Sequence, residues 1–340
     1  MIQTSSAGQI SQSTGGEWVA VFSGGGFRGI AYAALLDRLY AQGFQFEGAV
    51  GVSVGAIAAV LTCAGLSGAE IRSFFDEDFK ECLENVRSTF YWRYMECMIK
   101  LSRRLFWLPY VSRVTERLQT RMLRWTGLGT SGLLQDVGKR LQALLAERLG
   151  LSRPARFSDL PKSCAILTAD LVSRKPVVFG NIEECDHDSE IVPAVVASCA
   201  VPFLFPPVQG EGFYLVDGGI ICNLPIYLAK ASRAMHEARI AAFLLVEHED
   251  EAWKPRGVLS FGRRLVGTAL AGTVAAQIAG SGDVLVVEID TSGVGSFEFP
   301  LADESVERLL SSGERAADVL LRAAAQALPK RDGNCAEGVS

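Results

Sequence analysis

A serine between two glycines is the residue of this sequence best placed to act as a nucleophile. It is Ser53, in Gly51-Val52-Ser53-Val54-Gly55, between an apolar stretch and a helical pattern. In a G-x-S-x-G turn the serine occupies a strained elbow that exposes its Oγ above the N-terminus of the following helix. The bare pattern also arises by chance in a chain with 34 glycines among 340 residues. The position between a strand and a helix is therefore what supports a nucleophile here.

A second glycine-rich turn, Gly24-Gly25-Gly26-Phe27-Arg28-Gly29, follows the first apolar stretch. It formally matches a dinucleotide-binding turn, which needs an acidic residue at the end of the next strand. Glu47 precedes that strand instead, and the strand leads directly into the serine turn. We therefore favour an oxyanion hole formed by backbone N–H groups, with a glycine turn needed only for tight packing as the alternative. Arg28 either adds positive charge there or pairs with a carboxylate.

A nucleophilic serine needs a base. The chain has three histidines: His187, His236 and His248. His248 follows a predicted strand, as the histidine of an α/β-hydrolase triad does, but its charged neighbours equally fit a solvated turn. The competing base is Asp217, which precedes two glycines at another strand end, because a carboxylate hydrogen-bonded to a serine can accept its proton directly. The alternative for Asp217 is an ordinary turn aspartate.

The elements that must position these residues follow an α/β pattern. Residues 17–22 predict a strand that leads into the first glycine turn and a helix at 30–40. A strand at 48–50, a turn at 51–55 and a helix at 56–64 repeat this unit, which indicates a parallel sheet with crossover helices. Further strands are predicted at 165–169, 176–179, 213–216, 240–246 and 284–289, and further helices at 133–149 and 304–327.

Composition limits the class of protein. The chain is 49% hydrophobic and 21% charged, which is enough for a sizeable core, and its net charge of −5 gives no general attraction to nucleic acid. The sequence start lacks the features of a signal peptide, and no uncharged apolar run reaches the roughly 20 residues of a membrane-spanning helix. Eight cysteines without regular spacing indicate a reduced, cytoplasmic protein. No cluster has metal-ligand spacing, so neither a metal nor another cofactor is expected.

We predict one domain at 17–328, between flexible tails at 1–16 and 329–340. Within it, residues 86–125 hold nine basic and two acidic residues, a local charge of +7, and three of the five tryptophans. This composition predicts a cationic, aromatic-rich helical insert. One interpretation is contact with anionic phospholipid; a helical pair packed on the sheet and an oligomer interface are the others. The membrane-contacting residues would be Trp92, Arg103, Arg104 and Trp107.

Together these motifs resemble the patatin-like phospholipase family. The glycine turn at 24–29, the serine turn at 51–55 and Asp217-Gly218-Gly219 occur in that family's order. Two further stretches are also similar: Ala197-Ser198-Cys199-Ala200-Val201-Pro202 and Asn223-Leu224-Pro225. The resemblance extends from about residue 18 to 230 and is weakest in the insert. It implies an α/β protein, a three-layer α/β/α fold with a mainly parallel sheet, that hydrolyses acyl esters of lipids.

The resemblance also implies roles for individual residues. Ser53 would be the nucleophile and Asp217 its base. The oxyanion hole would be formed by Gly24, Gly25, Gly26 and Arg28. The supporting glycines of the motifs would be Gly29, Gly51, Gly55, Gly218 and Gly219.

The implied substrate is a phospholipid or lysophospholipid at a membrane surface. The protein would be cytoplasmic and peripheral on the inner face of the membrane, with an activating ligand or homo-oligomerisation as regulation. Two other functions stay open. One is an α/β-hydrolase-type esterase that uses Ser53 with His248, and the other is a non-catalytic effector that binds lipid or another ligand in the same cleft.

Overall fold

The computed structural model describes residues 18–79, 131–183, 185–202, 205–247, 268, 271–295 and 302–326. Several predictions lie outside these residues: the tails at 1–16 and 329–340, His248, and the insert at 86–125 with Trp92, Arg103, Arg104 and Trp107. No helix in the described ranges is both long and apolar enough to cross a membrane.

Within the described residues, eight strands form one mixed sheet. In chain order they are β1 (Trp18–Phe22), β2 (Gly48–Val52), β3 (Ser163–Asp170), β4 (Lys175–Gly180), β5 (Val208–Gly210), β6 (Phe213–Asp217), β7 (Arg239–Val246) and β8 (Val284–Asp290). The strands β3, β2, β1, β7 and β8 are parallel neighbours in that spatial order. Both β4 and β6 join β3 antiparallel, and β5 pairs with β6. The predicted, mainly parallel sheet is therefore confirmed. The strands β4 and β6 were predicted at 176–179 and 213–216, but their antiparallel direction was not.

Helices cover both faces of the sheet. They are α1 (Ile30–Ala41), α2 (Val54–Cys63), α3 (Gly68–Ser73), α4 (Ser131–Leu149), α5 (Ile191–Ser198), α6 (Ile226–Ala231) and α7 (Asp303–Gln326), and residues 271–279 are also helical. In β1, Ala20 and Phe22 join the core with α1, α2 and α7, whereas Val19 and Val21 join a second core with α6. This alternation follows the period of two in a strand and produces three layers, helix on sheet on helix.

The second strand is longer than predicted. β2 continues through Gly51 to Val52, and α2 begins at Val54, so the turn between them is shorter than the five residues expected. Close backbone contact explains this compact geometry, because a Cβ on Gly51 would lie 2.1 Å from the carbonyl oxygen of Gly55. A glycine in the strand lets the helix start directly against it.

The strand β3 brings the ends of β2 and β6 together. Val52 of β2 pairs with Leu167, and Asp217 of β6 pairs with the next residue, Thr168. Because β4 pairs with both Leu167 and Thr168, it occupies the opposite edge of β3. The strands β2 and β6 therefore lie end to end along one edge, and the residue that follows Val52 lies beside Asp217.

Candidate active site

Ser53 lies in a strained turn between β2 and α2. Its backbone angles are φ 55° and ψ −130°, in a region that non-glycine residues rarely occupy and that costs on the order of 1–3 kcal/mol. The flanking glycines allow the turn, since a Cβ on Gly55 would lie 2.4 Å from the carbonyl oxygen of Phe22. The geometry is that of a nucleophile elbow, with the serine at the N-terminus of α2.

A buried serine on α5 fixes the backbone of this turn. The N–H of Ser53 donates to the Oγ of Ser198 at 2.9 Å, and that hydroxyl donates to the carbonyl oxygen of Leu167 at 2.7 Å. Ser198 is fully buried, so both hydrogen bonds are shielded from water. Ser198 lies in one of the family-like stretches of the sequence, where its local pattern indicates no role. Its contact with Ser53 spans 145 residues of sequence, and no local signal predicts it.

Asp217, at the end of β6, lies beside Ser53 through the pairing of β2 and β6 with β3, and the Ser53 side chain lowers the pKa of its carboxyl. Its own N–H donates to the carbonyl oxygen of Ala200 at 3.0 Å, and its Oδ1 accepts from the N–H of Gly219 at 2.7 Å. The side chain is buried, and this burial raises the pKa of the Asp217 carboxyl to about 6, although the Ser53 side chain and the hydrogen bond from Gly219 lower it. A carboxylate of raised pKa is a stronger base, closer to the value suited to proton transfer at neutral pH.

The glycine-rich turn after β1 passes directly over Ser53. A Cβ on Gly24 would lie 3.1 Å from the Cβ of Ser53 and 2.6 Å from Oδ1 of Asn223. The N–H of Gly24 donates to the backbone oxygen of Asn223 at 3.3 Å, and Nδ2 of Asn223 donates to the carbonyl oxygen of Gly24 at 3.4 Å. These contacts tie the turn to the loop after Asp217. The sequence predicted that the N–H of Gly24 would serve the oxyanion hole, but this N–H already donates to Asn223.

The next two N–H groups of this turn are available. In the part of the chain that the structure describes, the N–H groups of Gly25 and Gly26 donate to no partner. Gly26 has φ 59°, a left-handed conformation that favours glycine. The turn therefore offers two backbone donors next to the serine elbow, as an oxyanion hole requires.

Arg28 supports this turn from within the protein. Its Nε donates to the carbonyl oxygen of Gly25 at 3.2 Å, while its NH1 donates to Glu247 at 3.2 Å and to Thr291 at 3.3 Å. Burial lowers the pKa of Arg28 and Glu247 raises it. Of the two roles left open for Arg28, the structure shows the ion pair. Because C=O and N–H point in opposite directions across a trans peptide, the bond to Gly25 directs the N–H of Gly26 away from Arg28.

The other candidate bases have different partners. Nε2 of His187 bonds the carbonyl oxygen of Ile182 at 2.9 Å, and Nδ1 of His236 bonds that of Arg233 at 2.8 Å. His248 lies outside the described residues. Across the described ranges, no group of three histidine, cysteine, aspartate or glutamate side chains could hold a metal ion.

The elbow and the fold together define a class of protein. A serine in a strained turn between a parallel strand and a helix, at the carboxyl edge of a three-layer α/β sheet, is typical of nucleophile-elbow proteins. The model of the patatin-like phospholipase family matches residues 20–230, which include Ser53, Asp217 and the glycine turn. The chain belongs to this family, whose members are generally hydrolytic lipases.

The chain is also similar to individual known proteins. The Bacillus subtilis (strain 168) protein YqhO, described as uncharacterized, is 27% identical over 314 residues, which are 89% of this chain and 97% of YqhO. The crystal structure of VipD from Legionella pneumophila matches 91% of this chain and 67% of VipD with a TM-score of 0.51 and 16% identity, which shows a shared fold. ExoU of the Pseudomonas aeruginosa type III secretion system, solved in complex with SpcU, has a TM-score of 0.46 and 17% identity. That match covers 91% of this chain and 53% of the ExoU chain, so this chain spans about half of ExoU.

Proposed function

We propose that this protein is a phospholipase or lysophospholipase that cleaves fatty-acyl esters with a Ser53–Asp217 dyad. The observation that supports this most directly is that the strained elbow serine and a buried aspartate lie side by side at the end of β3. Membership of the patatin-like phospholipase family supports lipid esters as the substrate class. The substrate would be reached at a membrane surface.

The first half of the reaction forms an acyl-enzyme. Asp217 accepts the hydroxyl proton of Ser53 as the Oγ adds to the ester carbonyl carbon, and the carbonyl π electrons move to the oxygen. The N–H groups of Gly25 and Gly26 and the N-terminus of α2 stabilise this oxyanion. When the intermediate collapses, the C–O bond to the glycerol breaks. The leaving alkoxide takes the proton from Asp217 and departs as an alcohol.

The second half releases the fatty acid. Asp217, again a carboxylate, takes a proton from a water molecule that adds to the acyl carbon of Ser53. The same donors stabilise the second oxyanion. Collapse breaks the bond to Oγ, the proton returns to Ser53, and the fatty acid leaves. Removal of one oxyanion donor typically lowers the rate by about 10²–10³, so the precise direction of the Gly26 N–H matters. Arg28 acts here as a positioning residue, because it orients the Gly25–Gly26 peptide.

The test is fatty-acid release from mixed phosphatidylcholine and phosphatidylglycerol vesicles and from lysophosphatidylcholine. We expect Ser53→Ala and Asp217→Ala to lower release by at least about 10³. We expect His248→Ala to release at the wild-type rate. Ser311→Ala, an exposed serine on α7, is the matched control.

Three outcomes would contradict the proposal in different ways. Loss of activity in His248→Ala with retention in Asp217→Ala would indicate a Ser–His esterase. Lipid binding by the wild type without turnover, and without fluorophosphonate labelling of Ser53, would indicate a non-catalytic lipid-binding protein. Hydrolysis of soluble esters but of no phospholipid or lysophospholipid would place the substrate in another class.

A further inference from the structure

Large hydrophobic side chains are exposed mainly on the β3–β4 turn and at the start of the neighbouring strand β6. Six are exposed in the described part of the chain: two on the β3–β4 turn, Leu171 (50%) and Val172 (57%), two at the start of β6, Phe213 (38%) and Tyr214 (44%), and two elsewhere. We call these four residues the hairpin patch. Of the other two, Ile220 is three residues past Asp217 and Val319 lies on α7. Exposed apolar residues concentrated at one end of a sheet in this way are typical of an interaction surface.

The hairpin patch is held in a fixed shape by one carboxylate. Oδ1 of Asp170 accepts from the N–H groups of Val172 at 3.1 Å and Tyr214 at 3.0 Å, and its Oδ2 accepts from Ser173 at 3.0 Å. The N–H of Leu171 also donates to the carbonyl oxygen of Tyr214 at 2.9 Å. The β3–β4 turn and the start of β6 are therefore joined through their backbones. The apolar side chains are exposed by a hydrogen-bonded framework and not by a loose loop.

Cationic side chains lie next to the apolar ones. Arg174, on the β3–β4 turn, and Lys175, the first residue of β4, are exposed, and Glu211 is the exposed acidic residue of the β5–β6 turn. The carboxylate of Asp170 is buried against backbone N–H groups. Two of the three exposed charged side chains here are therefore cationic. Aliphatic and aromatic side chains beside exposed cations suit the headgroup region of an anionic lipid layer, where tyrosine is also favoured.

We propose that the hairpin patch, with Arg174 and Lys175, is a lipid-docking surface that inserts into the headgroup region of anionic membranes. Its position fits this role, because Tyr214 is three residues from Asp217 along β6, about 10 Å at the rise of a strand. The choice of lipid as the occupant rests on the proposed function. The residues of this surface are other than those of the 86–125 insert, for which membrane contact was predicted from the sequence.

The test measures vesicle binding and catalysis separately. Sedimentation of the full chain with diether phosphatidylcholine vesicles, with and without about 30 mol% diether phosphatidylglycerol, reports binding without hydrolysis. Three variants are compared with wild type: Leu171→Ser/Val172→Ser, Arg174→Gln/Lys175→Gln, and the matched control Val319→Ser/Arg322→Gln on α7. Hydrolysis of p-nitrophenyl butyrate, a soluble ester, reports the active site without a membrane.

We expect the wild type to bind the phosphatidylglycerol vesicles. Leu171→Ser/Val172→Ser should lower the partition coefficient at least about tenfold, because less apolar area enters the interface. Arg174→Gln/Lys175→Gln should lower it about fivefold per charge on anionic vesicles and hardly on phosphatidylcholine alone. The control should bind like the wild type, and all variants should hydrolyse the soluble ester at the wild-type rate.

Equal binding by wild type and both patch variants would overturn this inference, as would a wild type that binds no vesicle. Those results leave the soluble-ester rate, and therefore the proposed hydrolase, unaffected. Conversely, patch-dependent binding by a chain that hydrolyses neither ester nor lipid would support the docking surface and refute the proposed function. A patch variant that loses soluble-ester hydrolysis together with binding would also count against the inference, since it would show a structural role in the active site.

Discussion

Asp217→Asn should abolish hydrolysis and at the same time stabilise the protein at neutral pH. The buried carboxyl of Asp217 has its pKa raised from an ordinary value of 3.8 to about 6, mainly by burial. A raised carboxyl pKa means that the folded state binds the proton more tightly than the unfolded state. Ionisation at neutral pH therefore costs stability, and an asparagine, which stays neutral, removes that cost.

The size of the effect follows from the two pKa values. One tenfold change in proton affinity corresponds to about 1.4 kcal/mol, so a pKa displacement from 3.8 to about 6 corresponds to about 3 kcal/mol. Below about pH 4, Asp217 is protonated in both the folded and the unfolded state, and wild type and variant should have similar stability. The stability of the wild type should then fall between about pH 4 and pH 6, and the variant should be more stable by up to about 3 kcal/mol above that range.

Urea denaturation, monitored by tryptophan fluorescence from about pH 4 to about pH 8, measures this difference in stability. Asp283→Asn, at an exposed position before β8, controls for the loss of a surface charge. The catalytic counterpart is a kcat/KM of the wild type that rises with pH through about 6, because only the ionised Asp217 accepts the proton. A variant that is less stable than the wild type, or more stable by the same amount at every pH, would refute the reasoning that burial of this charge sets its basicity.

Three further substitutions test the support of the site. Ser198→Ala leaves the N–H of Ser53 without its partner. We expect the free energy of unfolding in urea to fall by about 1–3 kcal/mol and kcat to fall at least about tenfold. An unchanged kcat would show that the elbow keeps its geometry without Ser198. Gly24→Ala places a Cβ 2.6 Å from Oδ1 of Asn223 and 3.1 Å from the Cβ of Ser53, so fluorophosphonate labelling should slow markedly, and wild-type labelling would contradict the close approach. Arg28→Met removes the bond to the carbonyl oxygen of Gly25, and kcat on a soluble ester should fall by about 10² at constant KM. A raised KM at constant kcat would show that Arg28 binds substrate instead.

Local patterns were sufficient to predict the elements that carry the site. The strand, glycine turn and helix around Ser53 are contiguous in sequence, so the pattern that predicts each element also predicts its order. Asp217 was a candidate because a strand end followed by two glycines is a local signal as well. The parallel core was predictable for the same reason, since consecutive strand–turn–helix units fold into parallel neighbours.

Contacts between distant segments could not be predicted in this way. Arg28 bonds Thr291, 263 residues further on, and it also pairs with Glu247. The sequence alone could not decide whether Arg28 adds charge to the oxyanion hole or pairs with a carboxylate, because these neighbours are distant in sequence. The antiparallel pairing of β6 with β3 depends on the whole sheet, and it is this pairing that sets Asp217 beside Ser53. The occupied N–H of Gly24 is a similar case, because its partner is the backbone of Asn223 and not a residue whose type reveals it.

The end of β3 contacts the support of the elbow serine, the aspartate and the hairpin patch. The carbonyl oxygen of Leu167 accepts from Ser198, which fixes the backbone of Ser53. The next residue, Thr168, pairs with Asp217, and Asp170 then joins the two parts of the hairpin patch. Three residues within the four-residue stretch 167–170 thus position the elbow, the base and the exposed apolar surface on one strand. A lipid layer bound at the hairpin patch would consequently meet the active site at a fixed distance, set by a hydrogen-bonded sheet and not by a flexible loop.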